Sequence, residues 1–292
     1  MHLLSFIMNN QYVYNERAVA FLDVLGFKSK LQSFEKEAID FKDNLENNVE
    51  NDSDSSDPLD VARFYSAKAN EFIDTFNSAI SKLNPDNFRY YLFSDNICIN
   101  AKNDSSENSS LIELLLIISE LYYEFAQKGY FLRGGIDYGL FIDDSSLALG
   151  VPLANAYNIE SLQAVFPRIL LSNNFVKQFE LYLNTNTTVY SSILLESLIK
   201  KSCELYYLNI FNHIFKVDCK EDFFVNYNYE IIRNIIENES SEKVFIKFKW
   251  LANEFNTFIE SYTSSLAYLD ENFEPTDEFI SNIKQLKINY GH

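Results

Sequence analysis

The sequence feature that most constrains the fold is the run "AVAFLDVLGF" at residues 18–27, in which only Asp23 and Gly26 interrupt the apolar side chains. A run of this length and composition predicts a strand that is buried on both faces, in the middle of a sheet. An ionised carboxylate in such a strand is unfavourable unless it is paired, protonated or bound to a cation. Asp23 therefore either caps the helix that is predicted to follow or binds a cation.

The succession of patterns along the chain predicts an α+β fold. Up to residue 171 the elements follow the order β-α-α-β-β-α-β-α-β, and "SDN" at residues 94–96 has the turn chemistry of a hairpin. This order predicts a ferredoxin-like core, which is an antiparallel sheet with helices on one face, extended by a crossover helix and an added strand. Residues 147–164 are predicted to be a loop that leads into a helix.

We expect the chain to have two parts. Residues 1–171 are predicted to form the core, and residues 172–292 a mainly helical C-terminal extension that packs on it. The extension is predicted to be helical with some strand, and it contains no glycine before Gly291.

The composition excludes several classes of function. Asp and Glu number 42 against 24 Lys and Arg, a formal net charge of −18, whereas general nucleic-acid binding needs a clustered basic surface. An anionic substrate would need divalent cations and a few well-placed basic side chains. The three cysteines lack zinc-like spacing and the three histidines are scattered, so neither a zinc site nor histidine-centred catalysis is expected.

The same composition leads us to expect a soluble, cytoplasmic protein. An odd number of unpatterned cysteines is typical of a reducing compartment. No stretch approaches the ~20 apolar residues of a membrane span. The opening "MHLLSFIM" lacks the basic region of a signal peptide.

Two aspartates are predicted to meet at one edge of the sheet. In a ferredoxin-like topology the first strand, with Asp23, lies beside the hairpin that carries Asp95. Gly26 and Phe27 open the next helix, whose first backbone N–H groups suit phosphate oxygens. Two carboxylates next to a phosphate cradle predict a site for two Mg²⁺ or Mn²⁺ ions that carries out phosphoryl chemistry.

Four segments, "FLDVLGF", "LFSDNICI", "RGGIDYG" and "ALGVPLANAYNIE", together resemble the class III nucleotidyl cyclases in their order and spacing. With "FPRILLS" and "KFKWLANEFN", the chain is most similar to the Pycsar-type pyrimidine cyclases of bacterial anti-phage defence. The resemblance covers about residues 17–171, with a weaker match at 243–256. It implies a homodimer that converts UTP or CTP to cUMP or cCMP and pyrophosphate, as an anti-phage second messenger.

The resemblance assigns roles to individual residues. Asp23 and Asp95 match the two metal-binding aspartates, and the backbone carbonyl of Val24 matches a further metal ligand. The amides of Gly26 and Phe27 match the triphosphate cradle.

The sequence departs from ordinary class III cyclases at the positions that read a purine base. Tyr91 stands where they have a lysine, and Leu147 stands where they have an aspartate. Both changes remove a charged purine contact, which is compatible with a smaller pyrimidine base.

A second departure concerns the reacting phosphate. Ala154 and Asn158 stand where the family has its transition-state asparagine and arginine, so the expected cation is missing. Asn158 is kept as a catalytic candidate. Arg133 and Lys247 are candidates for the replacement cation, and Arg168 is a further candidate that would bind substrate.

The sequence leaves alternatives open. The chain could be a purine cyclase, another palm-type nucleotidyltransferase, or a catalytically silent, cyclase-like dimer that binds a nucleotide. In the leading interpretation a head-to-tail dimer shares two active sites. The metal end of one chain would then meet the helix end of the other, with Arg133 further along the sheet than Asp23.

Overall fold

The computed structural model describes residues 12–49, 64–101, 109–144, 147–185, 197–264 and 275–290. The opening segment, on which the signal-peptide expectation depends, lies outside these ranges. The strands are β1 (Asn15–Val24), β2 (Phe88–Phe93), β3 (Asn96–Ala101), β4 (Leu132–Asp144), β5 (Leu147–Gly150), β6 (Ile169–Leu171), β7 (Ile199–Ser202) and β8 (Leu205–Leu208). The helices are α1 (Phe27–Val49), α2 (Ala67–Ser81), α3 (Ser109–Ala126), α4 (Val151–Gln163), α5 (Asn173–Thr185), a 3₁₀ helix (Ile210–Lys216), α6 (Lys220–Glu237), α7 (Glu242–Ser264) and α8 (Asp277–Gln285).

The described residues divide into two compact units. One contains β1 together with everything from Leu83 onward, and the other is Leu25–Lys82, with α1 and α2. In the smaller unit the rings of Phe27, Phe34 and Phe72 lie within 6.2 Å of one another. None of the helices in the described part of the chain has the length and apolarity of a membrane-spanning segment.

The larger unit is built on one sheet with the strand order β2-β3-β1-β4-β6-β8-β7, and β5 pairs with β4 outside this path. The β2-β3-β1-β4 part is antiparallel throughout and has the strand order of a ferredoxin-like core. The predicted α+β fold class is confirmed. β6 adds to β4 in parallel, and β8 and β7 of the C-terminal part continue the same sheet.

The register of β1 brings the end of this strand beside the starts of β3 and β4. Asp23 pairs with Asn96 at the start of β3 and with Arg133 at the start of β4. Val24, the last residue of β1, pairs with Leu132. Ala18, Val19, Ala20 and Leu22 are buried, so β1 is the central strand that its apolar run predicts.

Helix α4 lies directly on β4 because Gly135 lets the two backbones approach. A Cβ at Gly135 would lie 2.4 Å from the carbonyl oxygen of Ala156 and 2.7 Å from the Cβ of Ile159, which is closer than real side chains come. No larger residue fits there without moving the helix.

One local prediction is wrong. Residues 147–150 were predicted to be loop, but they form β5, which pairs with the end of β4 from Phe141↔Gly150 to Asp144↔Leu147. A four-residue strand gives too short an alternation to be recognised in the sequence.

Candidate functional site

Four charged side chains meet where β1 ends and β4 begins. Asp23 is the second-last residue of β1, Asp95 lies in the β2–β3 turn, Arg133 is the second residue of β4, and Glu160 lies on α4. Next to Asp95 in this two-residue turn, Ser94 has a φ of 60°, an unfavourable value for a residue with a side chain. This strained turn carries Asp95 beside the end of β1.

Arg133 bridges two of the carboxylates. Its Nε donates to Asp23 Oδ2 at 2.8 Å, and its Nη2 is ion-paired with Glu160 Oε1 at 2.8 Å. Asp95 lies beside this pair, because Asp23 pairs with Asn96, the residue that follows Asp95, and the Asp95 carboxyl group helps to raise the pKa of Asp23. The predicted meeting of the two aspartates is therefore present, with an arginine and a glutamate added to it.

The cluster has more negative than positive charge. Burial raises the pKa of Asp23 to about 7, opposed by Arg133 and reinforced by Asp95. Burial also raises the pKa of Glu160, again opposed by Arg133 and reinforced by Asp95. Asp23 and Glu160 thus share one guanidinium with the Asp95 carboxyl group beside them, and a further cation would stabilise the three groups in ionised form.

Lys247 lies in the same electrostatic environment. Burial lowers the pKa of its ammonium group, the positive charge of Arg133 lowers it further, and Asp23 opposes the shift. Of the three predicted cations, Arg133 thus pairs directly with Asp23, and Lys247 is within reach of the charges of both.

One expectation about Arg133 is wrong. Arg133 does not lie further along the sheet than Asp23 but directly across from it, in the same chain. The physical reason is that β1 and β4 are antiparallel, so the first residues of β4 face the last residues of β1.

The oxygen ligands present here fit Mg²⁺ or Mn²⁺. The donors are the neighbouring carboxyl groups of Asp23 and Asp95, and Mg²⁺ is commonly bound through one or two carboxylates, several waters and substrate phosphates. No group of three or more His, Cys, Asp or Glu side chains within the described ranges could hold a metal ion. Asp23 and Asp95 would thus be the protein side chains that hold a cation, with Asp23 already sharing Oδ2 with Arg133.

Tyr91 and Leu147, the two predicted base-reading positions, lie next to each other. The Tyr91 hydroxyl donates to Asp143 Oδ1 at 2.6 Å, and it lies 3.4 Å from the backbone oxygen of Leu147. Burial raises the pKa of Tyr91, and Asp143 adds to the shift. The hydroxyl is therefore held by Asp143, while the ring packs beside Cys98.

The side chain of Arg168, a predicted substrate contact, is surrounded by aromatic rings. Its guanidinium carbon lies 5.4–5.5 Å from the ring centroids of Phe166, Tyr207 and Trp250, in cation–π contact with all three. Burial lowers the pKa of this arginine. No contact of the Arg168 side chain with Asp23 or Asp95 is found in this part of the structure.

Asn158 lies away from the carboxylate pair. Asn158 precedes Glu160 by two positions on α4, which is a rotation of about 200° around the helix axis, so the two side chains leave opposite sides of the helix. Asn158 lines a separate cavity of about 250 Å³, together with Asn155 and the buried Asp137. Within that cavity the Asn155 amide donates to Asp137 Oδ2 at 2.8 Å.

Gly26 and Phe27 belong to the smaller unit. Gly26 has a φ of +73°, which glycine adopts without strain, and its carbonyl accepts the Ser29 hydroxyl at 2.8 Å. Their predicted role as a phosphate cradle continues to rest on the sequence.

The sequence reasoning missed Glu160. The structure shows that Pro152, Ala156, Ile159 and Glu160 are the buried positions of α4, which the sequence of this helix does not show. A glutamate on the buried side of a helix needs a cationic partner, and that requirement alone indicates an ion pair.

Comparisons with known proteins give limited similarity. No protein-family model matches the sequence, and no curated protein matches it. The guanylyl cyclase Cya2 superposes with a TM-score of 0.37 at 10% identity over 68% of this chain and 93% of that chain. A bacterial light-regulated adenylyl cyclase gives a TM-score of 0.40 at 11% identity over 76% of this chain, which spans 58% of that cyclase. The adenylyl cyclase CyaB from P. aeruginosa gives 0.36 at 14% identity over 73% of this chain and 99% of that chain. The fold assignment rests on the strand order of this chain and not on these similarities.

Proposed function

We propose that the protein is a divalent-cation-dependent nucleotidyl cyclase that converts UTP or CTP to the 3′,5′-cyclic monophosphate and pyrophosphate. The observation that carries the proposal is the position of the turn that holds Asp95, which lies against the end of β1 because Asp23 pairs with Asn96, so that two carboxyl groups meet beside the ion pairs of Arg133. The sequence resemblance supplies the reaction class, the pyrimidine substrate and the role in anti-phage signalling.

In this proposal the 3′-hydroxyl oxygen attacks the α-phosphorus, the bond from that phosphorus to the β-phosphate oxygen breaks, and the hydroxyl proton is lost to solvent. Divalent cations, when bound, would neutralise charge on the triphosphate and lower the pKa of the hydroxyl. Asp23 and Asp95 would hold them, with the Val24 carbonyl as a further oxygen. Arg133 and Lys247 supply the positive charge that Ala154 and Asn158 do not, and the sequence resemblance assigns the phosphates to the amides of Gly26 and Phe27.

Base selection is assigned to the region of Tyr91 and Leu147. Neither side chain offers a charged partner to a purine, and the Tyr91 hydroxyl is held by Asp143. The pair therefore supports a pyrimidine substrate, and UTP and CTP stand as equal candidates. Arg168 is assigned to substrate binding only if its aromatic contacts rearrange.

We propose a homodimer as the active form. Large apolar side chains are exposed on β4, β5 and the start of α4, namely Leu140, Leu147, Leu149 and Val151. These are suitable for burial against a second copy. Sedimentation velocity should give a dimer, and the change Leu149→Lys should shift it toward monomer; a monomeric wild-type chain would contradict the dimer.

A catalytically silent, nucleotide-binding protein is the second candidate. Two observations favour it, because Arg133 already occupies Asp23 Oδ2 and Asn158 faces away from the cluster. Under this alternative the chain would bind nucleoside triphosphates without converting them.

The test is to offer all four nucleoside triphosphates with Mn²⁺ and to identify products by mass spectrometry. We expect a cyclic pyrimidine monophosphate from the wild-type chain and from Asp74→Asn, an exposed carboxylate change on α2, but none from Asp95→Ala. Cyclic AMP or GMP as the main product would refute pyrimidine specificity. Binding without any product would favour the silent candidate.

A further inference from the structure

The two carboxylate partners of Arg133 are attached to different nitrogens of its guanidinium. Nε donates to Asp23, and Nη2 pairs with Glu160, both at 2.8 Å. A guanidinium has five N–H donors, so the loss of one partner leaves the other contact and several donors intact. Arg133 can therefore lose its contact with Asp23 while it keeps its ion pair with Glu160.

Glu160 is the more fixed of the two partners. It is 4% exposed and lies on α4, the helix that packs directly on β4 at Gly135. A carboxylate at this depth is unfavourable without a cation beside it. Asp23 instead lies beside Asp95, since it pairs with Asn96, and these two carboxyl groups are the pair that is suited to a divalent cation.

We infer that Glu160 is a positioning residue, which holds Arg133 beside the carboxylate pair so that Asp23 can exchange its arginine contact for a divalent cation. The inference rests on the proposed function, which supplies both the divalent cation and the triphosphate to which the released N–H donors of Arg133 would bind. Without Glu160, Arg133 depends on Asp23 for its carboxylate contact. The arginine then competes with the cation for Asp23. Glu160 would thus govern cation affinity without contacting the cation.

The experiment measures Mn²⁺ affinity of the full chain by electron paramagnetic resonance of the free ion, without nucleotide. The variants are Glu160→Gln, Glu160→Asp, Arg133→Gln and the double change Glu160→Gln with Arg133→Gln. Glu230→Gln is the matched control, because Glu230 is also 4% exposed and pairs with Arg233 Nη2 at 2.8 Å, on α6. Circular dichroism confirms that each variant is folded.

We expect Glu160→Gln to weaken Mn²⁺ binding at least fivefold when Arg133 is present and less than twofold when it is absent. Glu160→Asp keeps the charge but withdraws the carboxylate, so it should also weaken binding, and Glu230→Gln should not. An equal loss in both backgrounds, with Glu160→Asp unchanged, would overturn the inference, because Glu160 would then act by its charge alone. No Mn²⁺ binding by the wild-type chain would overturn it as well.

The failure of the proposed function is distinguishable from the failure of this inference. Mn²⁺ binding that follows the expected pattern without turnover of any nucleoside triphosphate would refute the cyclase and leave the role of Glu160 standing. Turnover of a nucleoside triphosphate, together with a pattern of Mn²⁺ binding other than the expected one, would refute the role of Glu160 and leave the cyclase standing.

Discussion

Removal of Arg133 should destabilise the larger unit even though its side chain is 27% exposed. In Arg133→Ala the buried Glu160 carboxylate and the carboxylate of Asp23, whose side chain is 14% exposed, lose their shared cation. Breaking a fully buried ion pair costs about 3–5 kcal/mol, and the partial exposure of the arginine reduces this, so we expect a loss of about 2–3 kcal/mol near neutral pH.

The assay is urea unfolding in EDTA, followed by the fluorescence of Trp250, the single tryptophan, which stacks on Phe166 in the same unit. Arg89→Ala is the control, because the Arg89 side chain is 41% exposed, its pair with Asp143 is longer at 3.6 Å, and Asp143 keeps the hydrogen bond from Tyr91, so its loss should cost less than about 1 kcal/mol. Addition of Mn²⁺ should stabilise Arg133→Ala more than the wild-type chain. If both arginine variants lose the same small amount, the charge argument for the cluster is refuted.

Three other experiments test the packing of α4, the buried thiol and the base site. Gly135→Ala places a Cβ 2.4 Å from the Ala156 oxygen, so we expect a loss of about 3 kcal/mol in urea unfolding, and a loss under 1 kcal/mol would contradict the close approach of α4. Burial raises the pKa of Cys98 to about 12, so at pH 8 a thiol reagent should modify the two exposed cysteines and spare this one; three modified thiols in the folded protein would contradict this. Tyr91→Lys combined with Leu147→Asp should raise turnover of ATP or GTP relative to UTP and CTP, and unchanged ratios would remove these two positions from base selection.

The strand order and the meeting of Asp23 with Asp95 could be predicted from the sequence. The apolar run at 18–27 identifies a central strand, and the turn at 94–96 makes the next two strands a hairpin. In a ferredoxin-like topology these elements have few other arrangements.

The rest of the site could not be predicted, because it depends on which side of α4 faces β4. Helix α4 has exposed apolar residues such as Val151 and Leu162 beside buried ones, so its sequence does not show one apolar side. The contact at Gly135 decides the orientation, and it turns Glu160 toward Arg133 and Asn158 away. Arg168 was equally beyond prediction, since the Tyr207 and Trp250 rings around it come from distant parts of the chain.

The central claim is that Asp23 and Asp95 form a cation-dependent catalytic centre. Its most direct test is the release of pyrophosphate from UTP and from CTP, measured with Mn²⁺ and with EDTA, for the wild-type chain and for Asp95→Asn. The account predicts release by the wild-type chain with Mn²⁺, none with EDTA, and a loss of at least about 1,000-fold in Asp95→Asn, equivalent to about 4 kcal/mol of barrier. Release that persists in EDTA, or that Asp95→Asn leaves unchanged, would contradict it.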